Sequence, residues 1–306
     1  MVDRPMDAAQ RAGMLMRERP PEATLAWLVR ALEAIDVVEV TAMRGGSTSA
    51  MHHVVVRGRD DITSEVVLRR YVLADYLTEE AGVAPREARA PELVASLSVP
   101  TPSLLAVDVT GEMADVPAVV MSWLDGQPVW ATRSRESWVS QAVDAMIELH
   151  QVDDHSPELT SIATYRQAAY QPPRWTTSPA VWERAIEVFD GPIPAADVGF
   201  VHRDFNPGNV LWVRGQLNGV VDWQAACVGP RSIDPAHCRL NLLRYDPGMA
   251  DDVRRVWEQR SGLVFDPWAD VVSIIGSLDE LSSHRHASPA LHAIENALAH
   301  AVAAIG

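Results

Sequence analysis

The sequence predicts an α+β protein with two lobes, the first rich in β-strands and the second mainly helical. Short β-branched runs separated by turns recur in the first part of the chain. After the turn-forming segment Asp125–Pro128, apolar residues at helical spacing and proline-initiated helix starts become frequent. We therefore expect a β-rich first lobe over residues 1–121, a connector or hinge over 122–126, and a helical second lobe over 127–306.

The first lobe is predicted to contain five short strands and one helix, after an amphipathic stretch from Glu22 to Ile35. The strands are the runs at 37–40, 53–57, 64–72, 104–109 and 116–121. The helix covers part of residues 86–97. Pro91 lies inside this segment, and a proline beyond the first turn costs roughly 3 kcal/mol. We therefore expect the helix to start late.

The second lobe is predicted to be helical except for one hairpin. A helix over Ser134–His150 is followed by a loop at 170–180 and a helix at 181–189. Two β runs, at 210–213 and 217–221, are expected to pair. Four later helices are predicted to begin with a polar cap followed by proline, at Asp234-Pro235, Asp246-Pro247, Asp266-Pro267 and Ser288-Pro289.

Composition narrows the range of partners. The chain has 26 Lys and Arg residues against 41 Asp and Glu residues, a formal charge of −15. Such a chain repels phosphate backbones, so we expect no nucleic-acid partner. It attracts cationic small molecules, although a need for solubility explains the charge equally well. The sequence does not indicate an oligomeric state.

Cysteine content and apolar runs indicate a cytoplasmic protein without a membrane segment. The two cysteines, Cys227 and Cys238, cannot form a disulfide framework, and the absence of a CxxC pair argues against structural zinc. No run approaches the roughly 18 apolar residues that a membrane helix needs. The first twenty residues also lack the apolar region of a signal peptide.

The segment from Phe200 to Trp223 carries the most chemical information. His202, Asp204 and Asn209 fit the spacing H-x-D-x-x-x-x-N, and Asp222 ends the following strand. Phosphoryl transfer needs a group that accepts the proton of the attacking hydroxyl, and magnesium needs oxygen ligands. Each residue alone would usually cap a turn or a strand. Together they predict Asp204 as the base and a magnesium site at Asn209 and Asp222.

The sequences HRDFNPGNVLW and GVVDW resemble the catalytic and metal-binding loops of the aminoglycoside phosphotransferase family, relatives of the protein kinases. The resemblance runs from about residue 36 to about residue 285. It implies the two-lobed protein-kinase-like fold, ATP or GTP as phosphoryl donor, and Mg²⁺. It also implies that His202 supports the catalytic loop and that Asp234 braces it, in addition to the helix cap predicted for Asp234.

The same resemblance implies a phosphate site in the first lobe. A Gly-Gly turn between strands is usually only a hairpin, but here it matches a phosphate-binding loop formed by Gly45, Gly46, Ser47, Thr48 and Ser49. The strand cation that contacts the donor phosphates is Arg69, where protein kinases have lysine. Its carboxylate partner is Glu87, or Glu92 if the helix starts late. In the connector, the Ser122 carbonyl and the Leu124 amide would bind the nucleobase.

The predicted function is therefore transfer of a γ-phosphoryl group to a hydroxyl of a small, possibly cationic molecule. Candidate carboxylates for an amine-bearing acceptor are Asp266, Asp270, Asp279 and Glu280. One alternative is a catalytically silent nucleotide-binding sensor, suggested by the arginine at position 69 and by the open choice between Glu87 and Glu92 as its partner. Another is a protein kinase, which is disfavoured because Asp234 follows Asp222 too soon for a peptide-docking segment. The sequence does not name the acceptor or decide between ATP and GTP.

Overall fold

The computed structural model describes residues 8–43, 48–80, 82–153, 159–162, 170–194, 197–284 and 286–306. The chain divides into two compact units. The first comprises Met1–Ala95 and Thr101–Leu124, and the second comprises Ser96–Pro100 and Asp125–Gly306. Residues 96–100, which the sequence analysis placed in the first lobe, thus group with the second unit.

The first unit is built on one antiparallel five-stranded sheet. Its elements are α1 (Ala8–Leu15), α2 (Glu22–Ala31), β1 (Asp36–Ala42), β2 (Ala50–Arg57), β3 (Thr63–Arg70), α3 (Ala74–Glu79), α4 (Val83–Val94), β4 (Leu104–Asp108) and β5 (Ala118–Ser122). The strand order is β1-β2-β3-β5-β4. The five predicted strands are confirmed. The helices α1 and α3 were not predicted, because neither is long enough to show a clear apolar repeat.

Strand β3 sends alternate side chains into two separate hydrophobic cores. Leu68 packs on one face of the sheet with Trp27 and Leu28 of α2. Val67 points to the opposite face, where it packs with Val83 at the start of α4. This alternation follows from the two-residue period of a strand. It also puts Arg69, two residues beyond Val67, on the α4 side of the sheet.

Helix α4 begins at Val83, so the expectation that it starts late is wrong. Pro91 lies within the helix, close to its end, and is buried. The residues Val83, Ala84, Ala88 and Val94 are buried as well. Tertiary burial of this face supplies most of the stability of such a helix and outweighs the hydrogen bond that proline cannot make. Glu87 therefore lies in the middle of a regular helix.

The second unit is mainly helical. Its elements are β6 (Gln127–Pro128), α5 (Arg135–Leu149), α6 (Pro179–Asp190), β7 (Val198–Val201), β8 (Val210–Val213), β9 (Gln216–Val220), β10 (Cys227–Pro230), α7 (Ile233–Leu243), α8 (Pro247–Ser261), α9 (Pro267–Gly276), α10 (Leu278–Ser282) and α11 (Pro289–Ile305), with 3₁₀ turns at Pro207–Asn209 and Trp223–Ala225. The small sheets are β6-β8-β9 and β10-β7. In the described part of the chain, none of the helices combines the length and apolarity needed to cross a bilayer.

The predicted hairpin is present as β8 and β9. Arg214 and Gly215 connect the strands, and both have positive φ angles, 50° and 79°. Two consecutive left-handed residues form the tight turn whose twist matches that of the paired strands. The hairpin therefore joins Asn209, immediately before β8, to the end of β9 near Asp222.

Three of the four predicted helix caps are confirmed, and one is wrong. The side chains of Asp246, Asp266 and Ser288 accept hydrogen bonds from backbone amides at the starts of α8, α9 and α11. Helix α7 instead begins at Ile233, so Asp234 lies inside its first turn and is not the cap. The physical reason is that the Asp234 carboxylate bonds to a different part of the chain, described below.

Replacement of Leu68 by alanine should lower the free energy of unfolding by about 2–5 kcal/mol, because it opens a cavity in the sheet core. Leu68 is 0% exposed, whereas Leu105 on the edge strand β4 is 41% exposed. Leu105→Ala is the matched control and should change stability by about 0.5 kcal/mol or less. Urea denaturation followed by circular dichroism measures both. Equal losses in the two variants would contradict the assignment of Leu68 to the core.

Candidate active site

The loop from Asp204 to Asn209 is a tight turn held by its own asparagine. The Asn206 side-chain oxygen accepts from the Gly208 amide at 2.8 Å, and the Asn209 amide donates to the Asn206 carbonyl at 3.0 Å. Gly208 has no room for a side chain, since a Cβ there would lie 2.9 Å from the Trp130 ring. The packing of Trp130 against the turn therefore requires glycine at this position.

The carboxylate of Asp204 is held by three side-chain donors. Oδ1 accepts from Asn206 Nδ2 at 2.9 Å and from His237 Nε2 at 2.8 Å. Oδ2 accepts from Asn209 Nδ2 at 2.9 Å. The side chain is 34% exposed, so it remains accessible to a substrate. Donors on both oxygens fix its rotamer before any substrate binds.

These donors also set the ionisation of Asp204. Burial alone would raise the pKa of the carboxyl. The hydrogen bond and the charge of His237, with smaller contributions from His202 and Asn209, outweigh burial and hold the pKa below its usual value. Asp204 is therefore ionised at neutral pH, the state in which it can accept a proton.

Asn209 and Asp222 are brought together by the β8–β9 hairpin. The Val221 amide donates to the Asn209 carbonyl at 2.9 Å, so Asp222 is the next residue after this contact. Asp222 has a left-handed backbone, with φ of 69° and ψ of 67°. Aspartate adopts this conformation more readily than most residues, and such strained positions concentrate at functional sites.

The donor set at these two residues fits magnesium. The Asn209 amide nitrogen donates to the backbone oxygen and Oδ2 of Asp204, both at 2.9 Å, which leaves the amide oxygen as an acceptor. Together with the Asp222 carboxylate, it offers the hard oxygen ligands that Mg²⁺ prefers, with further positions filled by water and substrate phosphates. Asn209 and Asp222 would therefore hold the ion.

The buried carboxylate of Asp234 holds the backbone that precedes Asp204. Oδ2 accepts from the His202 amide at 3.1 Å and Oδ1 from the Arg203 amide at 2.7 Å. His150 Nε2 lies 3.0 Å from Oδ2, and its ring is buried at the end of α5. Arg203 has a left-handed backbone with φ of 67°. Two charge-assisted bonds to consecutive amides support that strained conformation.

His202 is buried and takes no direct part in the exposed part of the site. Its Nε2 donates to the Val221 carbonyl at 3.0 Å, and its ring packs against Trp223 with centroids 4.6 Å apart. It thus connects the loop before Asp204 to the strand end before Asp222.

His150 was not identified from the sequence, because nothing in the pattern of α5 distinguishes it from an ordinary buried histidine.

In the first unit, Arg69 forms a buried ion pair with Glu87. Arg69 Nη1 lies 3.0 Å from Glu87 Oε1, with side chains 2% and 0% exposed. The Tyr71 hydroxyl donates to the other oxygen of Glu87. Glu92 is 50% exposed and instead pairs with Arg89 at 3.0 Å. The partner of Arg69 is therefore Glu87, and its contact with donor phosphates stays a prediction.

The remaining nucleotide contacts also stay predictions. Gly45, Gly46 and Ser47 lie outside the described residues, while Thr48 and Ser49 lie immediately before β2. Ser122 ends β5, and its hydroxyl accepts from the Ser103 amide at 2.9 Å. Leu124 is the last residue of the first unit.

Three of the four candidate acceptor carboxylates already have structural partners. Asp266 accepts from the Trp268 amide at 2.9 Å as the cap of α9. Asp270 faces Arg239 at 3.3 Å in a buried pair, and burial raises the pKa of Asp270. Glu280 accepts from Arg244 Nη2 at 3.0 Å, and this bond lowers the pKa of Glu280. Their availability for an acceptor amine is therefore limited.

Sequence comparison provides evidence independent of this geometry. Residues 52–268 match the model of a family described as the phosphotransferase enzyme family. The chain belongs to this family. The matched residues include Arg69 and Glu87 of the first unit and Asp204, Asn209 and Asp222 of the second.

Individual proteins that are similar to this chain are kinases or phosphotransferases by name. A homoserine kinase from Chelativorans sp. (strain BNC1) is 29% identical over 147 residues, 42% of either chain. The chain thus matches under half the length of this curated relative. A mutant of aminoglycoside phosphotransferase APH(4)-Ia, in ternary complex with ADP and hygromycin B, has a TM-score of 0.60 at 14% identity, covering 92% of this chain and 98% of the other. Amicoumacin kinase hAmiN, in complex with AMP-PNP, Ca²⁺ and Ami, also has a TM-score of 0.60, at 12% identity over 91% and 93%. The structural similarities confirm the kinase-like two-lobed fold.

Replacement of Glu87 by glutamine should destabilise the protein by about 3 kcal/mol, because it leaves the buried Arg69 without a charged partner. Glu92→Gln on the same helix is the matched control and should cost less than about 1 kcal/mol, as expected for an exposed pair. Urea unfolding monitored by tryptophan fluorescence compares the two. Similar midpoints for both variants would show that the Arg69–Glu87 pair contributes nothing specific.

Proposed function

We propose that this protein transfers the γ-phosphoryl group of a nucleoside triphosphate to a hydroxyl of a small molecule. The observation that carries the proposal is the Asp204 carboxylate, which is ionised, accessible and fixed by three donors, one of them the side-chain amide of Asn209. Structural turn or cap roles do not need this combination. Membership of the phosphotransferase enzyme family supports it.

In the proposed reaction Asp204 is the general base. The acceptor oxygen bonds to the γ-phosphorus, the bond between that phosphorus and the β–γ bridging oxygen breaks, and the hydroxyl proton moves to Asp204. Because transfer of this kind proceeds through a loose transition state, the protein contributes mainly by positioning and charge neutralisation. A rigidly held carboxylate suits that task better than a strongly basic one.

The donor phosphates are proposed to bind through Arg69 and through a magnesium ion held by Asn209 and Asp222. Arginine can contact phosphate oxygens with two parallel N–H groups and stays charged in a buried position. Magnesium, when bound, neutralises phosphate charge. The Ser122 carbonyl and Leu124 amide are proposed to bind the nucleobase of ATP or GTP, and the cytoplasm is the proposed location.

The acceptor is proposed to carry an amino group as well as a hydroxyl. The formal charge of −15 favours cationic molecules near the protein. Homoserine, the substrate in the name of the matched kinase, has both groups. Hygromycin B, which is bound in one structural neighbour, is a larger molecule that serves as the second comparison.

A silent nucleotide sensor is the weaker alternative. Its support was the arginine at position 69 and the uncertainty over the helix carboxylate. The 3.0 Å pairing of Arg69 with Glu87 removes that uncertainty, since the cation has the partner expected in an active kinase. The intact Asp204 and Asn209 geometry favours an enzyme.

Replacement of Asp204 by asparagine should lower kcat by about 10²–10⁴-fold, because it removes the general base. Nucleotide affinity, measured by isothermal titration calorimetry, should stay within about twofold of wild type. Asp222→Asn should instead weaken nucleotide binding in the presence of Mg²⁺ by at least about tenfold, because removal of a group that only supports a metal ligand already costs this much. Wild-type turnover in the Asp204 variant would refute its role.

A screen of acceptors should show nucleoside diphosphate release with a hydroxyl compound that bears an amino or quaternary ammonium group. The panel includes homoserine, hygromycin B, streptomycin and choline, each with ATP and with GTP, and amine-free alcohols serve as controls. Acceptor-dependent release that is lost in Asp204→Asn supports the proposal. Nucleotide binding without release across the panel would favour the silent sensor.

A further inference from the structure

Helix α7 presents two side chains, one turn apart, to the catalytic loop. Asp234 accepts from the backbone amides of His202 and Arg203. His237, three residues later, donates from Nε2 to the Asp204 side chain at 2.8 Å. Residues three apart lie on the same face of a helix. One rigid element therefore holds both the backbone before Asp204 and the carboxylate itself.

The donors divide unequally between the two carboxylate oxygens of Asp204. Oδ1 accepts from Asn206 at 2.9 Å and from His237 at 2.8 Å. Oδ2 accepts one side-chain bond, from Asn209 at 2.9 Å. Each carboxylate oxygen has about two lone-pair sites. Oδ1 is thus saturated by the described contacts, and Oδ2 retains one site for an incoming proton.

We propose that His237 is a positioning residue, which holds Asp204 through Oδ1 so that Oδ2 is the atom that receives the acceptor's proton. This proposal rests on the proposed function. The hydroxyl proton moves to Oδ2 as the acceptor oxygen bonds to phosphorus, and His237 keeps its own proton throughout. No proton and no charge pass between Asp204 and His237.

The surroundings of His237 favour a positioning role over a purely structural one. Its ring is only partly buried and its hydrogen bond is made to a side chain, so the contact adds little to the stability of the fold. The hydrogen bond does weaken Asp204 as a base. In a reaction dominated by positioning, a fixed orientation is worth more than the lost basicity.

The test replaces His237 by leucine, which removes the donor, and by glutamine, which keeps an N–H at a similar distance from the backbone. His292 on the exposed face of α11 supplies the matched control, His292→Leu. His237→Leu should lower kcat by about 10–100-fold, the cost of a small misplacement of a reacting group. The KM for nucleotide should stay within about twofold, and His237→Gln should recover most of the loss.

The split between kcat and KM separates positioning from a general loss of structure. A misplaced Asp204 should lower kcat alone, whereas a disrupted site should also raise the KM for nucleotide. Recovery of kcat in His237→Gln is a further result that a purely structural role would not give. If the leucine variant does not fold, His237→Asn, whose shorter amide does not reach Asp204, takes its place.

The NMR signal of the His237 Nε2–H proton distinguishes failure of this inference from failure of the proposed function. If wild type is inactive with every acceptor but this proton still shows the downfield shift of a hydrogen bond to a carboxylate, the contact is real and the proposed function fails. An unchanged kcat in His237→Leu, equal losses in the leucine and glutamine variants, or a raised KM with unchanged kcat would overturn the inference.

Discussion

The buried carboxylate of Asp234 is the constraint on which the geometry of the second unit depends. It accepts from two consecutive amides, of His202 and Arg203, and so fixes the backbone just before Asp204. An unpaired charge in such a place would be strongly unfavourable, and the two amides with His150 offset that cost. The loop can therefore hold the left-handed Arg203 that directs the next residue, Asp204, toward its donors.

Two further contacts extend this constraint to the rest of the site. His202 connects the same backbone to Val221 at the end of β9, beside Asp222. The β8–β9 hairpin returns the chain from Asn209 to that point. Asp204, the proposed proton acceptor, and the proposed metal ligands thus share one framework of buried backbone hydrogen bonds. Their relative positions are set by folding rather than by the arrival of substrate, which is the preorganisation that phosphoryl transfer requires.

Much of this arrangement follows from sequence, and the exceptions have physical reasons. Alternating β runs and the H-x-D-x-x-x-x-N spacing predicted the first sheet and the loop at Asp204, because both depend on local periodicity and turn chemistry. The late start of α4 was wrong because burial outweighs the local cost of Pro91. The cap predicted at Asp234 was wrong because a distant loop uses its carboxylate. His237 could not be found at all, since its contact joins residues 33 positions apart with no periodic signal.

A buried carboxylate also fixes the orientation of its partners in the first unit. Glu87 is buried between Arg69 and Tyr71, just as Asp234 is buried between the amides of the loop and His150. In both cases the carboxylate has no contact with solvent, so its oxygens must accept hydrogen bonds from a few fixed donors. The donors therefore have one favourable orientation. A surface carboxylate would leave Arg69 free to adopt many rotamers. Burial therefore converts an ion pair of modest net stability into a device for orientation, because it leaves the planar guanidinium group of Arg69 one favourable position against Glu87.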